Sequence, residues 1–107
     1  MDGHIIVYCT VPSSETGRKI ADDLVNGRYA ACVNILPGIT SVYRWKGDVC
    51  SDNEILLIIK SRKALFPEIQ ERIRALHPYE LPEIISCELS DGSEPYLKWI
   101  SDSTLVS

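Results

Sequence analysis

The residues with the most chemistry to offer gather in one short stretch, HPYELPEII, residues 77–85. His77, Tyr79, Glu80 and Glu83 sit around two prolines, Pro78 and Pro82, whose fixed φ angles hold the segment in a definite shape. A neutral imidazole at His77 is a ligand for a divalent metal, with oxygen supplied by Glu80 or Glu83. The same residues also suit a plain structural role. His77 then closes a helix, where positive charge favours the carboxyl end, Tyr79 packs, and Pro82 sets the chain toward a strand. Four cysteines, Cys9, Cys32, Cys50 and Cys87, add thiols but no CxxC or zinc-ribbon spacing. In a reducing compartment they are free, and most such cysteines act as small buried hydrophobes. As ligands, thiolates favour Cu(I), while imidazole suits Cu(II) or Zn(II). Lys60 ends an apolar run. At a cleft it would hold an anionic ligand or pair with Glu83; otherwise it is a solvated strand end. Tyr43, Trp45, Tyr96 and Trp99 read as packing or interface aromatics rather than a ligand cage. His4, near the terminus, reads as exposed and uninvolved.

The elements that position these groups follow from patterning. HIIVYCTV, residues 4–11, is a buried strand ended by Pro12. Ser13 or Ser14 caps a helix over about residues 14–26, with Glu15 in the first turn and Ile20, Ala21, Leu24 and Val25 at helical spacing. Gly27 stops it. AACVNIL, residues 30–36, is a second strand, interrupted at Pro37-Gly38 and resumed by SVYRW, an arrangement that reads as a bulge. Lys46-Gly47-Asp48 makes a tight turn, and EILLIIK, residues 54–60, returns. Glu54, Leu56, Ile58 and Lys60 share one face of that strand; Ile55, Leu57 and Ile59 share the other. Residues 64–76 form a second amphipathic helix, with Pro67 in its first turn. EIISCEL, residues 83–89, is a fourth strand. Ser93 caps a last helix carrying Tyr96, Leu97, Trp99 and Ile100, and the tail SDSTLVS frays or adds a small edge element. The order predicts one α+β domain over residues 1–107, a ferredoxin-like split βαβ sandwich with both main helices on one face of an antiparallel sheet. In this topology strand three lies between strands one and two, so Cys9 and Cys32 need not meet within a subunit.

Length, composition and charge bound the function. The chain has 107 residues, 45% hydrophobic and 24% charged, which suits one globular domain. A formal net charge of −4 argues against a nucleic-acid footprint. No apolar run is long enough to span a membrane, and the first residues make a poor signal peptide, so a cytoplasmic protein is expected. The long hairpin is harder to accommodate. At about 3.3 Å per residue its strands reach roughly 40–50 Å, whereas helices of about 13 residues reach only about 20 Å. The distal part, with Val42, Tyr43, Trp45 and Val49, is either an exposed, twisted monomeric hairpin or packs against a second subunit, and the second arrangement also hides its edges and aromatic side chains. A homo-oligomer with the hairpin as contact element is therefore expected.

Other activities on the fold lack their signatures. The loop TVPSSETG is no phosphate cradle for an acylphosphatase-like enzyme. Cys9 is followed by Thr10, Val11 and Pro12, so no copper-chaperone CxxC is present. EILLIIK lacks the exposed aromatics and basic charge of an RNA-recognition sheet. Four stretches together, AACVNILPGITSVYRWKG (30–47), EILLIIKS (54–61), HPYELPEII (77–85) and YLKWI (96–100), resemble the CutA family of divalent-cation tolerance proteins over nearly the whole chain. The resemblance implies a tight homotrimer built through the hairpins, with Val42, Tyr43, Trp45 and Trp99 at the interface. It implies a response to copper or other divalent metal ions, with no organic cofactor and no catalysis. Cys9 and Cys32 match cysteines implicated in metal binding in some members, and His77, Glu80 and Glu83 complete the candidate ligands. The family is similar in architecture to the trimeric PII signalling proteins. This similarity supplies the alternative, a sensor of a small anionic metabolite at a cleft near Lys60 and Tyr79.

Overall fold

Residues 3–105 are described by a computed structural model. The elements run β1 (His4–Val11), α1 (Ser14–Asn26), β2 (Cys32–Trp45), β3 (Asp48–Arg62), α2 (Phe66–Leu76), β4 (Ile85–Glu88) and α3 (Glu94–Asp102), with a 3-10 turn at Lys63–Leu65 leading into α2. The strands form one antiparallel sheet in the order β2-β3-β1-β4. This is the split βαβ, ferredoxin-like arrangement, and β3 does separate β1 from β2.

Alternation along the strands divides the sheet into two unlike faces. Ile5, Val7, Cys9 and Val11 of β1 and Ile55, Leu57 and Ile59 of β3 point to one side and are buried. Ile20 and Leu24 of α1 and Ile69 and Ile73 of α2 close over them to make the core. Ser13 Oγ accepts the Thr16 N–H at 3.2 Å and so caps α1 as expected. Gly27 ends the helix because nothing larger fits: a Cβ there would stand 2.6 Å from the Tyr29 ring.

The two helices are pinned by a fork of bonds from Arg72 to Asp23, with Nε 2.9 Å from Oδ2. That donation, above all, holds the Asp23 carboxyl below its ordinary value. A depressed folded value means the contribution is present in full above the unfolded value of about 3.9 and is lost as pH falls through the folded value. Because Arg72 is half-exposed, solvent screening keeps the pair's contribution small. The urea midpoint of the native chain should therefore exceed that of Asp23→Asn at pH 6, and the gap should close below about pH 4.

The second face is largely open. Ile6, Tyr8, Leu36, Leu56, Ile58 and Ile85 share it by register. Leu36 and Ile85 stand 49% and 55% exposed, far more than a core position tolerates. Among the described residues its end at His4 and Arg62 is covered by α3 and the residues after it, and its far end at Glu54 by Tyr79. His4 is half-buried there, with Nε2 2.8 Å from Ser101 Oγ, and not exposed as its terminal position suggests. The tail is anchored through Leu105 instead of fraying. Arg62 Nε donates to Thr104 Oγ1 at 2.9 Å, and Leu105 N donates to Arg28 O at 2.8 Å. Residues 106–107 of the expected tail lie outside the described residues. Ser93 is the N-cap residue but makes no side-chain cap, and Pro95 in the first turn leaves one orphan donor fewer to satisfy.

β2 and β3 extend beyond the body as an arm. Their pairing shifts between Leu36 and Ile39, where Gly38 takes φ 82°, so the interruption at Pro37-Gly38 is the expected bulge. The tip is a two-residue turn with positive φ at both Lys46 and Gly47, the geometry that matches strand twist in a tight hairpin. Val42 and Val49 on the arm are about two-thirds exposed.

Candidate ligand cleft

The connector between α2 and β4 is shaped by His77, which is 8% exposed. Its backbone N–H closes α2 on Ile73 O at 2.8 Å. Its Nδ1 accepts the Tyr79 N–H at 3.1 Å, which leaves the proton on Nε2, and Nε2 donates to Thr10 O at 2.7 Å. Both ring nitrogens are thus engaged, and a metal would have to displace one of these bonds. The bend this produces brings Tyr79 against the imidazole, with ring centroids 4.7 Å apart. The Tyr79 hydroxyl donates to Glu54 Oε2 at 2.7 Å. Burial and the Glu54 carboxylate together push the Tyr79 phenol well above its ordinary value, so it stays a donor.

Glu54 lies on the open face of β3 where the arm leaves the body, and it is only 7% exposed. Sequence reasoning did not single it out. The available signal was a carboxylate heading EILLIIK on the face of Leu56 and Ile58, with a tyrosine far along the chain to receive it.

The arm returns toward the connector. Lys46 Nζ is 3.9 Å from Glu80 Oε2 and lies 5.5 Å from the centre of the Trp45 ring. Between arm and connector is a cleft of about 720 Å³, with Thr10 and Glu54 lining its sheet side and Tyr43, Trp45 and Tyr79 among its walls. Three carboxylates, Glu54, Glu80 and Glu83, line it against two cations, Arg44 and Lys46. Lys46 is occupied by Glu80, and Arg44 turns to Gly47 O at 3.3 Å. Among the described residues no Lys or Arg pairs with Glu54 or Glu83. Tyr43 donates to Asp52, which raises its phenol to about 12.

The other candidate ligands are dispersed. Cys9 is fully buried on the helix-covered face; burial, then the Glu83 and Glu54 carboxylates, push its thiol up to about 12. Cys32 is half-buried on the opposite face of β2, paired with Lys60, while Cys9 pairs with Leu57. β3 stands between them, so a single chain does not bring these two thiols together. Lys60 donates to Asn34 and lies six residues from Glu54 along β3, about 20 Å away at strand rise. It does not meet Glu83. Trp99 stacks on Tyr96 with centroids 5.4 Å apart, on α3 and away from the cleft. Among the described residues no three His, Cys, Asp or Glu side chains are grouped to hold a metal ion. Within one chain the donor set therefore does not close around a bare ion. Cys9 should resist iodoacetamide in the folded protein at pH 8 and react only after unfolding, read by mass spectrometry of its peptide.

These features define a class: a small ferredoxin-like subunit with an over-long hairpin arm, an uncovered apolar sheet face and an electronegative cleft at the arm's base. The chain belongs to the CutA1 divalent ion tolerance protein family, whose model matches residues 5–103. It is 50% identical over 99 residues to the divalent-cation tolerance protein CutA of Thermus thermophilus, covering 92% of this chain and 96% of that protein. It is 50% identical over 100 residues to the chloroplastic CutA of Arabidopsis thaliana, covering 94% of this chain but only 55% of the plant protein. The chain thus spans nearly all of the bacterial relative and about half of the plant one. Among solved structures, CutA1 from Oryza sativa superposes with a TM-score of 0.95 at 45% identity, covering 98% of this chain and 96% of that one. No helix among the described residues is long and apolar enough to cross a membrane.

Proposed function

We propose that this protein is a non-catalytic homotrimer that takes up divalent metal ions, copper among them, at clefts completed where chains meet. The observation that supports this reading most is the juxtaposition of an open apolar sheet face and an electronegative cleft on that same face. Ile6, Tyr8, Leu56 and Ile58 are only half-buried by the chain itself, and Val42, Tyr43 and Trp45 on the arm and Trp99 on α3 stand exposed beyond them. A second copy laid on this face would close the cleft. Glu80 and Glu83 are exposed at its mouth and offer oxygen to a divalent ion. Cys32 on the open face offers a thiol to a softer one. His77 holds the connector in place from within, and Cys9 stands behind the sheet. The setting expected for these free thiols is the cytoplasm. A PII-like sensor of an anionic metabolite is the second reading, and Lys60, beside Cys32 on the same face, is the residue that favours it.

Calorimetric titration of the reduced protein with Cu(II) and Zn(II), with solution mass measured alongside, tests the proposal. Saturable uptake by a trimer, weakened at least tenfold in Glu83→Gln without change of mass, is the expected result. Non-stoichiometric uptake indifferent to that change, or a monomer mass for the native chain, would overturn it.

A further inference from the structure

We infer that Lys60 of one chain enters the cleft of the next and pairs there with Glu83, so that each cleft is completed by a residue of its neighbour. This rests on the homotrimer of the proposed function and names what the second copy brings to the cleft. The open sheet face is not uniform along its strands. Its arm end carries Glu54, with Glu80 and Glu83 beside it on the connector. Its middle is apolar, with Tyr8, Leu56 and Ile58. Its other end carries Lys60, on one row with Cys32, Ile6 and Cys87. Glu54 and Lys60 are six residues apart on β3, about 20 Å at strand rise. Within one chain the two ends are left unmatched. Among the described residues no lysine or arginine pairs with Glu54 or Glu83. The half-buried Lys60 has three N–H groups to give and donates to Asn34 alone. The neighbouring cations are committed within the chain: Lys46 to Glu80, Arg44 to Gly47 O, and Arg62 to Thr104 in the tail.

In a ring of three, each chain turns one patch to one neighbour and a different patch to the other. The acidic end and the basic end are two such patches. Set against each other, they give every cleft one ammonium and every Lys60 one carboxylate. Set like on like, they would bring Glu54 and Glu83 out of water against further carboxylates, which repulsion opposes. The apolar middle of the face is covered in the same step. A lysine stem packs along such apolar surface while its charged head reaches the polar group beyond. Glu83 is the exposed carboxylate that meets it. Glu54, nearly buried and held by the Tyr79 hydroxyl at 2.7 Å, adds its field from behind. Both carboxylates already act at one place, since both push up the Cys9 thiol. A Lys60 held in this way is closed to an anionic metabolite.

The test is treatment of the native protein with a water-soluble carbodiimide, which joins an amine to a carboxylate only where the two touch. The expected result is chains linked as dimers and trimers on a denaturing gel, with mass spectrometry finding Lys60 joined to Glu83. The two do not meet within a chain, so that link is one between chains. Charge reversal is the second arm, read by sedimentation. Lys60→Glu and Glu83→Lys should each raise the concentration of half-dissociation at least tenfold, with circular dichroism unchanged. The double swap Lys60→Glu/Glu83→Lys should return it to within threefold of the native value. A native trimer without the Lys60–Glu83 link, single reversals that dissociate no more readily than the native protein, or a double swap no better than the single reversals would overturn the inference. The two readings fail separately. Metal uptake by a trimer that lacks the link leaves only the proposed function standing. The link in a trimer indifferent to Cu(II) and Zn(II) leaves only the inference, and a native monomer overturns both.

Discussion

Ile58→Glu is expected to release single chains from the proposed homotrimer. Ile58 occupies the middle of the open sheet face, between Asn34 on β2 and Tyr8 on β1. In one chain it is half-buried, so a glutamate there keeps access to water and costs the subunit little. Under a second copy of the chain the same carboxylate would be taken out of water. Burying it unpaired costs several kcal/mol at each site. The change repeats in every subunit, so an assembly held by this face should not survive it. Sedimentation at micromolar concentration should show the mass of one chain for the variant and of three for the native protein. The domain is small, and a lower melting temperature should accompany the loss, since covered surface is much of what such a domain has to spend on stability. An Ile58→Glu protein that keeps the native mass would show that this face is not the one covered.

His77→Ala should have the second largest effect, and it should fall on stability. The imidazole stands between the Tyr79 N–H and Thr10 O and is nearly buried. Removing it takes away two hydrogen bonds and leaves partners that water does not easily reach, at about 1–3 kcal/mol for each group stranded. A loss of about 2–4 kcal/mol in chemical denaturation is expected. The cleft should loosen as well, because Tyr79 then loses the support that aims its hydroxyl at Glu54. A variant as stable as the native chain would show that the connector holds its shape by its prolines alone, and His77 would be free to serve as a ligand.

Local chemistry made most of the fold legible. The helix over about residues 14–26 was legible because Ser13 or Ser14 offers a cap and Gly27 a stop, and the structure takes Ser13 as the cap. The arm could be read because its length exceeds that of any helix available to cover it. Pairing across distance was less accessible. β4 is shorter than the expected 83–89 because its ladder with β1 starts only at Ile85, after Pro82 has steered the chain out of the connector. The anchored tail depends on Arg62 and Arg28, both far from it in sequence. The cleft was half-legible. HPYELPEII announced itself by its prolines and polar residues, but Glu54 is made a site residue by a tyrosine 25 positions away. The two thiols were harder still, since the face on which each lies depends on strand register, and spacing alone does not fix which side of a finished sheet a cysteine will see.

The strand order also sets a timetable. β1 leaves the ribosome first, yet it lies between β3 and β4. Its ladders close only once Arg62 and then Glu88 have been made, the partners of His4 and Ile5. Until then a strand as apolar as HIIVYCTV has only α1 to shelter it. Pairings of this reach are slow, placing the chain among mixed folds that need longer than helical bundles of equal size. The center of the finished sheet is thus the part that waits longest during synthesis, and nascent chains interrupted before β4 would present their stickiest strand to the cell.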